Sequence, residues 1–320
     1  ALPGEDARRA APPAGRLERK RGVGAMDHRA ARLFVCYLQG IDERRFMGLA
    51  RALAAVGHLV MTPYLPELAS LEATPDTVTR IVAAASALSK KTPGEMVAIG
   101  ISVGGGLTLL AAAQGRTHSP ISRVVAIGSH HDLVRVARHY AGVTATDLNG
   151  HKARLKPHPY GIQVLAYAHA AHLFSAADLP TARTLLGLHL KQQYRRARKH
   201  IDSLSADGQT LMRALLEDPS GSLVAARLQA AIAQVLGELR AVSPAGQLGG
   251  LKVPVMLLHG ETDPIIPATE LSWLADEVPD ELLLAALVTP VLTHTDFPDG
   301  ADAMDFFALV RFVAQMLPDR

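Results

Sequence analysis

Cysteine is almost missing from this 320-residue chain, where Cys36 stands alone. A single thiol excludes an internal disulfide framework and any zinc or iron–sulfur site built from several cysteines. Aromatic residues are scarce as well, at 4%. No apolar run reaches the ~18 uninterrupted residues that suggest a membrane-spanning helix. Charge of one sign is lacking too: 33 Lys and Arg face 30 Asp and Glu, for a net charge of +3. That balance is too mild to argue for nucleic acid, although a pI near 9.1 keeps anionic partners open. No apolar signal-peptide core opens the sequence, which favours the cytoplasm over secretion without fixing the compartment.

What is present is aliphatic. Hydrophobic residues make up 48% and charged residues 20%, a mixture that excludes a mainly disordered chain. The length allows two domains of roughly 150 residues or one large one, with ample core in either case. Residues 1–25 are Ala/Pro/Gly-rich, with Arg16, Arg19, Lys20 and Arg21 close together. They read as a solvated, loosely ordered arm, with a membrane-surface or partner-binding arm as the alternative.

From residue 32 onward short apolar runs alternate with helical stretches. Strands are expected at Leu33–Leu38, His58–Thr62, Met96–Ile101 and Ile121–Ile127, and helices at Phe46–Val56, Thr77–Leu88 and Gly105–Ala113. Gly57 marks the stop of the first helix. Strand and helix in regular order predict a mainly parallel sheet flanked by helices, and the unbroken apolar strands predict burial on both faces. The rhythm stops near residue 132. Residues 133–245 contain helical stretches only, one from Asp178 toward His200, one at Thr210–Leu216, and one carrying Leu228, Ile232, Val235 and Leu239 on a single face. It resumes with strand Val253–His259, helix Glu270–Glu277, strand Leu282–Val288 and helix Phe306–Met316. The expected organisation is an arm (1–25), an α/β core (26–132 and 246–320) and an inserted all-helical cap (133–245).

The sharpest chemical feature is Gly100–Ile101–Ser102–Val103–Gly104, set between a strand and a helix. A serine on a strained strand-to-helix turn stands above the sheet edge, and the flanking glycines let strand and helix approach. The helix N-terminus points its amides at the same space, which favours a developing negative charge. Serine is a weak nucleophile and needs a base oriented by an acid. Asp263 lies in Gly260–Glu261–Thr262–Asp263–Pro264, just past the strand ending at His259. His294 follows the next strand, in Leu292–Thr293–His294–Thr295–Asp296. All three residues thus fall in loops at the carboxyl ends of strands, where sites form in open α/β sheets.

These segments resemble the α/β-hydrolase superfamily over residues 32–132 and 246–318. The resemblance implies Ser102 as nucleophile, Asp263 as acid and His294 as base. It also implies an oxyanion hole made by the backbone amides of Ile41, after Gln39–Gly40, and of Val103, with 133–245 as a lid. Where many members carry His-Gly, this chain has Gln39–Gly40.

Other residues compete for these roles. Asp132, after the strand ending at Ile127, is a second candidate acid. His130 and His131, with Gln39, are candidate pocket residues, a plain surface pair being an equal reading of the histidines. Glu261 and Asp296 read as loop residues, His259 as packing, and Cys36 as an inert strand thiol. His169 and His172 have helical spacing, but no defined ligand set accompanies them, so no metal and no cofactor are expected. Leu185, Leu186, Leu188, Leu211, Leu215 and Leu216 should pack the cap, some of them lining an acyl wall. The run Lys191–His200 reads as a solvated face, with an anionic lipid or carrier protein as the minority partner.

The expected activity is a serine hydrolase cleaving a small-molecule carboxylic ester. The alternatives are a thioesterase or acyltransferase with the same triad, or a non-catalytic binding protein on the same fold. Low aromatic content leans toward an aliphatic substrate.

Overall fold

The computed structural model describes residues 16–18, 32–37, 44–91, 94–114, 119–153, 155–294 and 302–316. Among them a seven-stranded sheet runs β1 (Arg16–Glu18), β3 (Leu59–Thr62), β2 (Arg32–Tyr37), β4 (Met96–Ile101), β5 (Arg123–Ile127), β6 (Val255–Gly260) and β7 (Leu283–Thr289) in spatial order. Every pairing is parallel except β1 on β3. The edge strand β1 falls inside the expected arm, whose other residues lie outside the described ones; Arg16–Leu17–Glu18 offers no apolar run to announce it.

Helices cover both faces. Leu33, Val35, Val97, Ile99 and Met256 pack against α1 (Arg44–Ala55) and α13 (Ala303–Met316). The opposite face, including Phe34, Ala98, Val124 and Leu257, packs against α3 (Pro75–Lys91), α4 (Val103–Gln114) and α12 (Thr269–Glu277). The short α2 (Pro66–Ala69) precedes α3. Alternate residues of one strand therefore serve two cores, as expected for a sheet buried on both sides. Residues 104–113 of α4 are all buried, so this helix is apolar all round. No helix among the described residues is long and apolar enough to cross a membrane.

The strand β7 departs from the expected pattern. Its exposure alternates along its length, and Leu284 (48%) and Val288 (42%) face outward, because an edge strand past β6 is covered on one face only.

Between β5 and β6 the described residues form helices α5 (Leu133–Tyr140), α6 (Pro159–Ala168), α7 (Leu179–Leu190), α8 (Tyr194–Arg198), α9 (Ala206–Glu217), α10 (Ser222–Gln234) and α11 (Leu236–Ala241). They share a core of their own around Ile162, Leu186, Met212, Leu215 and Leu228. Two expected helices are broken. The one from Asp178 stops at Leu190, and Gln192 adopts a left-handed φ of 60° before α8. The face carrying Leu228 to Leu239 divides at Val235 into α10 and α11, yet all four of its apolar residues stay buried.

A buried carboxylate joins this helical segment to the sheet domain. Glu270 in α12 has no exposed side-chain surface; its Oε2 accepts from the amides of His131 and Asp132, both at 2.9 Å, and its Oε1 from Arg135 Nε at 2.5 Å. Arg135 also lies over the Trp273 ring at 4.4 Å. About two helical turns further on, Glu277 accepts from His131 Nε2 at 2.6 Å and from the amides of Gly246 and Leu248. Entry and exit of the segment thus hold the same helix. Glu270→Ala should cost about 3–5 kcal/mol, because Arg135 would keep a largely buried, unpaired charge. Glu270→Gln, which can still accept from an amide, should cost less. Urea unfolding of both variants checks the order.

Candidate active site

Strand β4 ends in the Gly100–Gly104 turn, and Ser102 takes a φ of 58°, in the left-handed region that a non-glycine residue rarely occupies. The turn is held by Ser102 N donating to Ile127 O at 2.8 Å and Gly105 N donating to Ser102 O at 2.9 Å. Strand and helix touch backbone to backbone. A Cβ on Gly100 would lie 2.5 Å from Gly105 Cα, and one on Gly105 would lie 2.7 Å from Ser129 Oγ. Side chains are thus forbidden at Gly100 and also one residue beyond the motif, at Gly105. Val103 opens α4, so its amide belongs to the orphan donors of that helix N-terminus.

Asp263 follows β6, as its position in the sequence implied. Its side chain is fully buried. Oδ1 accepts from the amides of Ile265 at 2.8 Å and Ile266 at 3.0 Å, while Oδ2 meets His294 Nδ1 at 2.7 Å. An ionised carboxylate only accepts, so Nδ1 carries the proton and Nε2 is left as the basic nitrogen. Burial alone pushes the Asp263 pKa up. The charges and hydrogen bonds of His294 and His259 outweigh it and hold the carboxyl well below the usual carboxylate range.

His259 is a participant that the sequence reading took for packing alone. It is buried, donates from Nε2 to Ile266 O at 2.9 Å, and stands 3.5 Å from Asp263 Oδ2. The signal available was its position four residues before the acid. Tyr140 was also missed. Its hydroxyl donates to Ile265 O at 2.8 Å, and burial with the nearby Asp263 charge pushes its pKa up, so it stays a neutral donor. Together with His158 N on Pro264 O at 2.8 Å, it fastens the acid's loop to the helical segment.

Ser102, Val103 and His294 line one cavity of about 420 Å³. Its walls are apolar: Leu133, Val136, Val164, Leu165, Leu239 and Ile266. Of the leucines expected mainly to pack among the helices, Leu185, Leu186, Leu211, Leu215 and Leu216 do so, and none of the six lines this cavity. Glu72 and Arg183, which pair with each other, lie on the lining beside His169 and Glu238.

The competing candidates are separated by geometry. Asp132 caps α5, its Oδ1 accepting from Val134 N at 2.8 Å, and Asp263 is the carboxylate on His294. His130 and His131 are a correction, since neither lines this cavity. His130 is wholly buried with Nε2 on Val242 O, and burial lowers its pKa, whereas His131 belongs to the Glu277 contact. Gln39, Ile41 and Asp296 lie outside the described residues, as does the side chain of Cys36. His169 and His172 do not act together: His169 faces Glu238 at 4.0 Å and His172 meets Gln234 at 3.2 Å. No group of three potential metal ligands occurs among the described residues.

Residues 70–288 match the family model described as alpha/beta hydrolase fold. The chain belongs to the α/β-hydrolase family. That match spans β4 to β7 and includes Ser102 and Asp263. Similar solved structures of this fold include MGS-M2, an alpha/beta hydrolase enzyme from a Medee basin deep-sea metagenome library, at 15% identity and a TM-score of 0.46, covering 96% of this chain and 95% of that one. The esterase domain of a Rhodothermus marinus protein is 15% identical with a TM-score of 0.42, covering 94% and 91%. The 2-hydroxy-6-oxo-6-phenylhexa-2,4-dienoate hydrolase of Rhodococcus sp. strain RHA1 is 14% identical with a TM-score of 0.45, covering 92% of each chain. No curated protein matches the chain.

The depressed Asp263 pKa has a consequence for this hydrolase-family chain. Its stabilising contribution is present above the unfolded carboxylate pKa of about 3.9 and is lost as pH falls toward the lower folded value. Urea midpoints should therefore drop on acidification below that point, and Asp263→Asn should flatten the drop.

Proposed function

We propose that the protein is a serine hydrolase that cleaves a carboxylic ester through Ser102, His294 and Asp263. The carrying observation is the 2.7 Å contact of His294 Nδ1 with buried Asp263, on a cavity that Ser102 also lines from a left-handed turn. Asp263 fixes the tautomer, so His294 Nε2 takes the Ser102 proton as Oγ attacks the acyl carbonyl. The oxyanion rests on the Val103 amide and, by family resemblance, on that of Ile41. His294 then gives its proton to the departing alcohol. Water, deprotonated by the same nitrogen, releases the acid and restores Ser102.

In this reading residues 133–245 are a lid on a core of 26–132 and 246–320, and the apolar cavity receives the acyl group. Each methylene buried there is worth about 0.8 kcal/mol, or at most about fourfold in kcat/KM. Activity on p-nitrophenyl esters should rise from acetate to hexanoate as each added methylene is buried. A fluorophosphonate probe should label the protein, and Ser102→Ala and His294→Ala should abolish labelling. A folded protein that never labels would be a binding protein instead. Asp263→Asn should lower kcat by about 10⁴ by reversing the tautomer, as in other triads, whereas Asp132→Asn should affect stability rather than kcat.

A further inference from the structure

A second and larger cavity, of about 960 Å³, borders the first. Both are lined by Leu71, Tyr160, Ile265 and His294, but Ser102 and Val103 line only the smaller. If the triad works as proposed above, on which this inference rests, the two spaces have different tenants. The acyl carbon is bonded to Ser102, so the acyl chain occupies the apolar cavity. The leaving oxygen must be within reach of the His294 proton, so the alcohol lies on the side that His294 shares with the larger cavity.

The lining of that larger cavity differs in chemistry. It gathers Tyr160, Tyr167 and Tyr194, three of the six tyrosines in a chain with only 4% aromatic residues. Hydrogen-bonding side chains share this lining: Gln163, Gln192 and Thr293, with His158 and His189. Lys191 and Glu217 add one charge of each sign. The Gln163 side chain is fixed, its amide donating to Leu215 O at 2.9 Å, and the rim residue Tyr194 packs edge-on against His189 at 4.9 Å between ring centres. The cations Arg195, Arg198 and Lys199 of the neighbouring turn are not part of this lining. Aromatic side chains together with donors and acceptors, without net Lys/Glu charge, suit a ring bearing several hydroxyls: the rings cover its C–H surface and the polar groups meet its hydroxyls. A bare alkyl alcohol offers nothing for those groups to bond.

We propose that this cavity binds the alcohol half of the substrate and that the alcohol is a bulky, uncharged, hydroxyl-rich ring of the sugar type. The covalent steps are unchanged: the ester C–O bond breaks, and the sugar hydroxyl leaves with the proton carried by His294.

The test compares kcat/KM of the purified full chain on four butyrate esters sharing one acyl group. These are 6-O-butyryl-glucose, cyclohexylmethyl butyrate, ethyl butyrate and butyryl-glycerol 3-phosphate. The glucose ester should exceed the cyclohexylmethyl ester, its counterpart without ring hydroxyls, by about tenfold, equivalent to one or two hydrogen bonds. Tyr194→Ala, at an exposed rim position, and Glu217→Gln should each reduce the glucose-to-ethyl ratio several-fold. Equal or better turnover of the cyclohexylmethyl ester would overturn the inference while leaving the hydrolase reading intact. A preference for the phosphate ester would overturn it in favour of an anionic alcohol held by the Lys191–Lys199 cations. Turnover of none of the four, with no probe labelling, would overturn the hydrolase reading and this inference together.

Discussion

The buried Asp263 carboxylate is the constraint around which the site is arranged. A charge with no access to water must be matched by donors, and here the matching partners come from separate parts of the fold. The amides of Ile265 and Ile266 curl the chain after β6 around Oδ1, while His294 from beyond β7 and His259 from within β6 approach Oδ2. Removing any one leaves the others facing an under-compensated anion. The same solvation that makes the charge tolerable therefore also positions the base.

The helical segment is bound into this arrangement. Tyr140 and the His158 amide reach the carbonyls of Ile265 and Pro264, the residues that wrap the carboxylate. Cavity walls from α5, α6 and α11 are then referenced to the same loop as the acid. Burial of Glu270 does for the stems of the segment what Asp263 does for the site, using an arginine and two amides as its counter-charge. Shape of the apolar cavity and geometry of the Asp263–His294 pair are consequently not independent properties.

Much of this was legible because it is local. Continuous apolar runs gave β4 its observed limits, Met96–Ile101, and residues just past strands marked Ser102, Asp263 and His294. What escaped reading depends on distant partners. Glu270 looks like an ordinary first-turn helix acid until Arg135, far away in sequence, covers it. The break at Gln192 carries neither glycine nor proline to announce it. The alternation in β7 reflects its place at the sheet edge, which no strand can state about itself. His130 and His131 occupy the expected side of the sheet, yet neighbouring helices enclose them rather than a cavity.

The stems of the helical segment also touch each other, with Ala245 N donating to His131 O at 3.0 Å. The segment thus leaves and re-enters the sheet at one place, while Tyr140, the His158 amide and the Thr146 carbonyl tie its first stretch to the loop after β6 and to α12. Closing a loop costs only about 0.6 kcal/mol more for each doubling of its length. Changes of length in that segment that spare these contacts should therefore have little effect on strand register. Strand register and cavity wall are in this way written on separable parts of one chain, and descent can revise the second without rewriting the first.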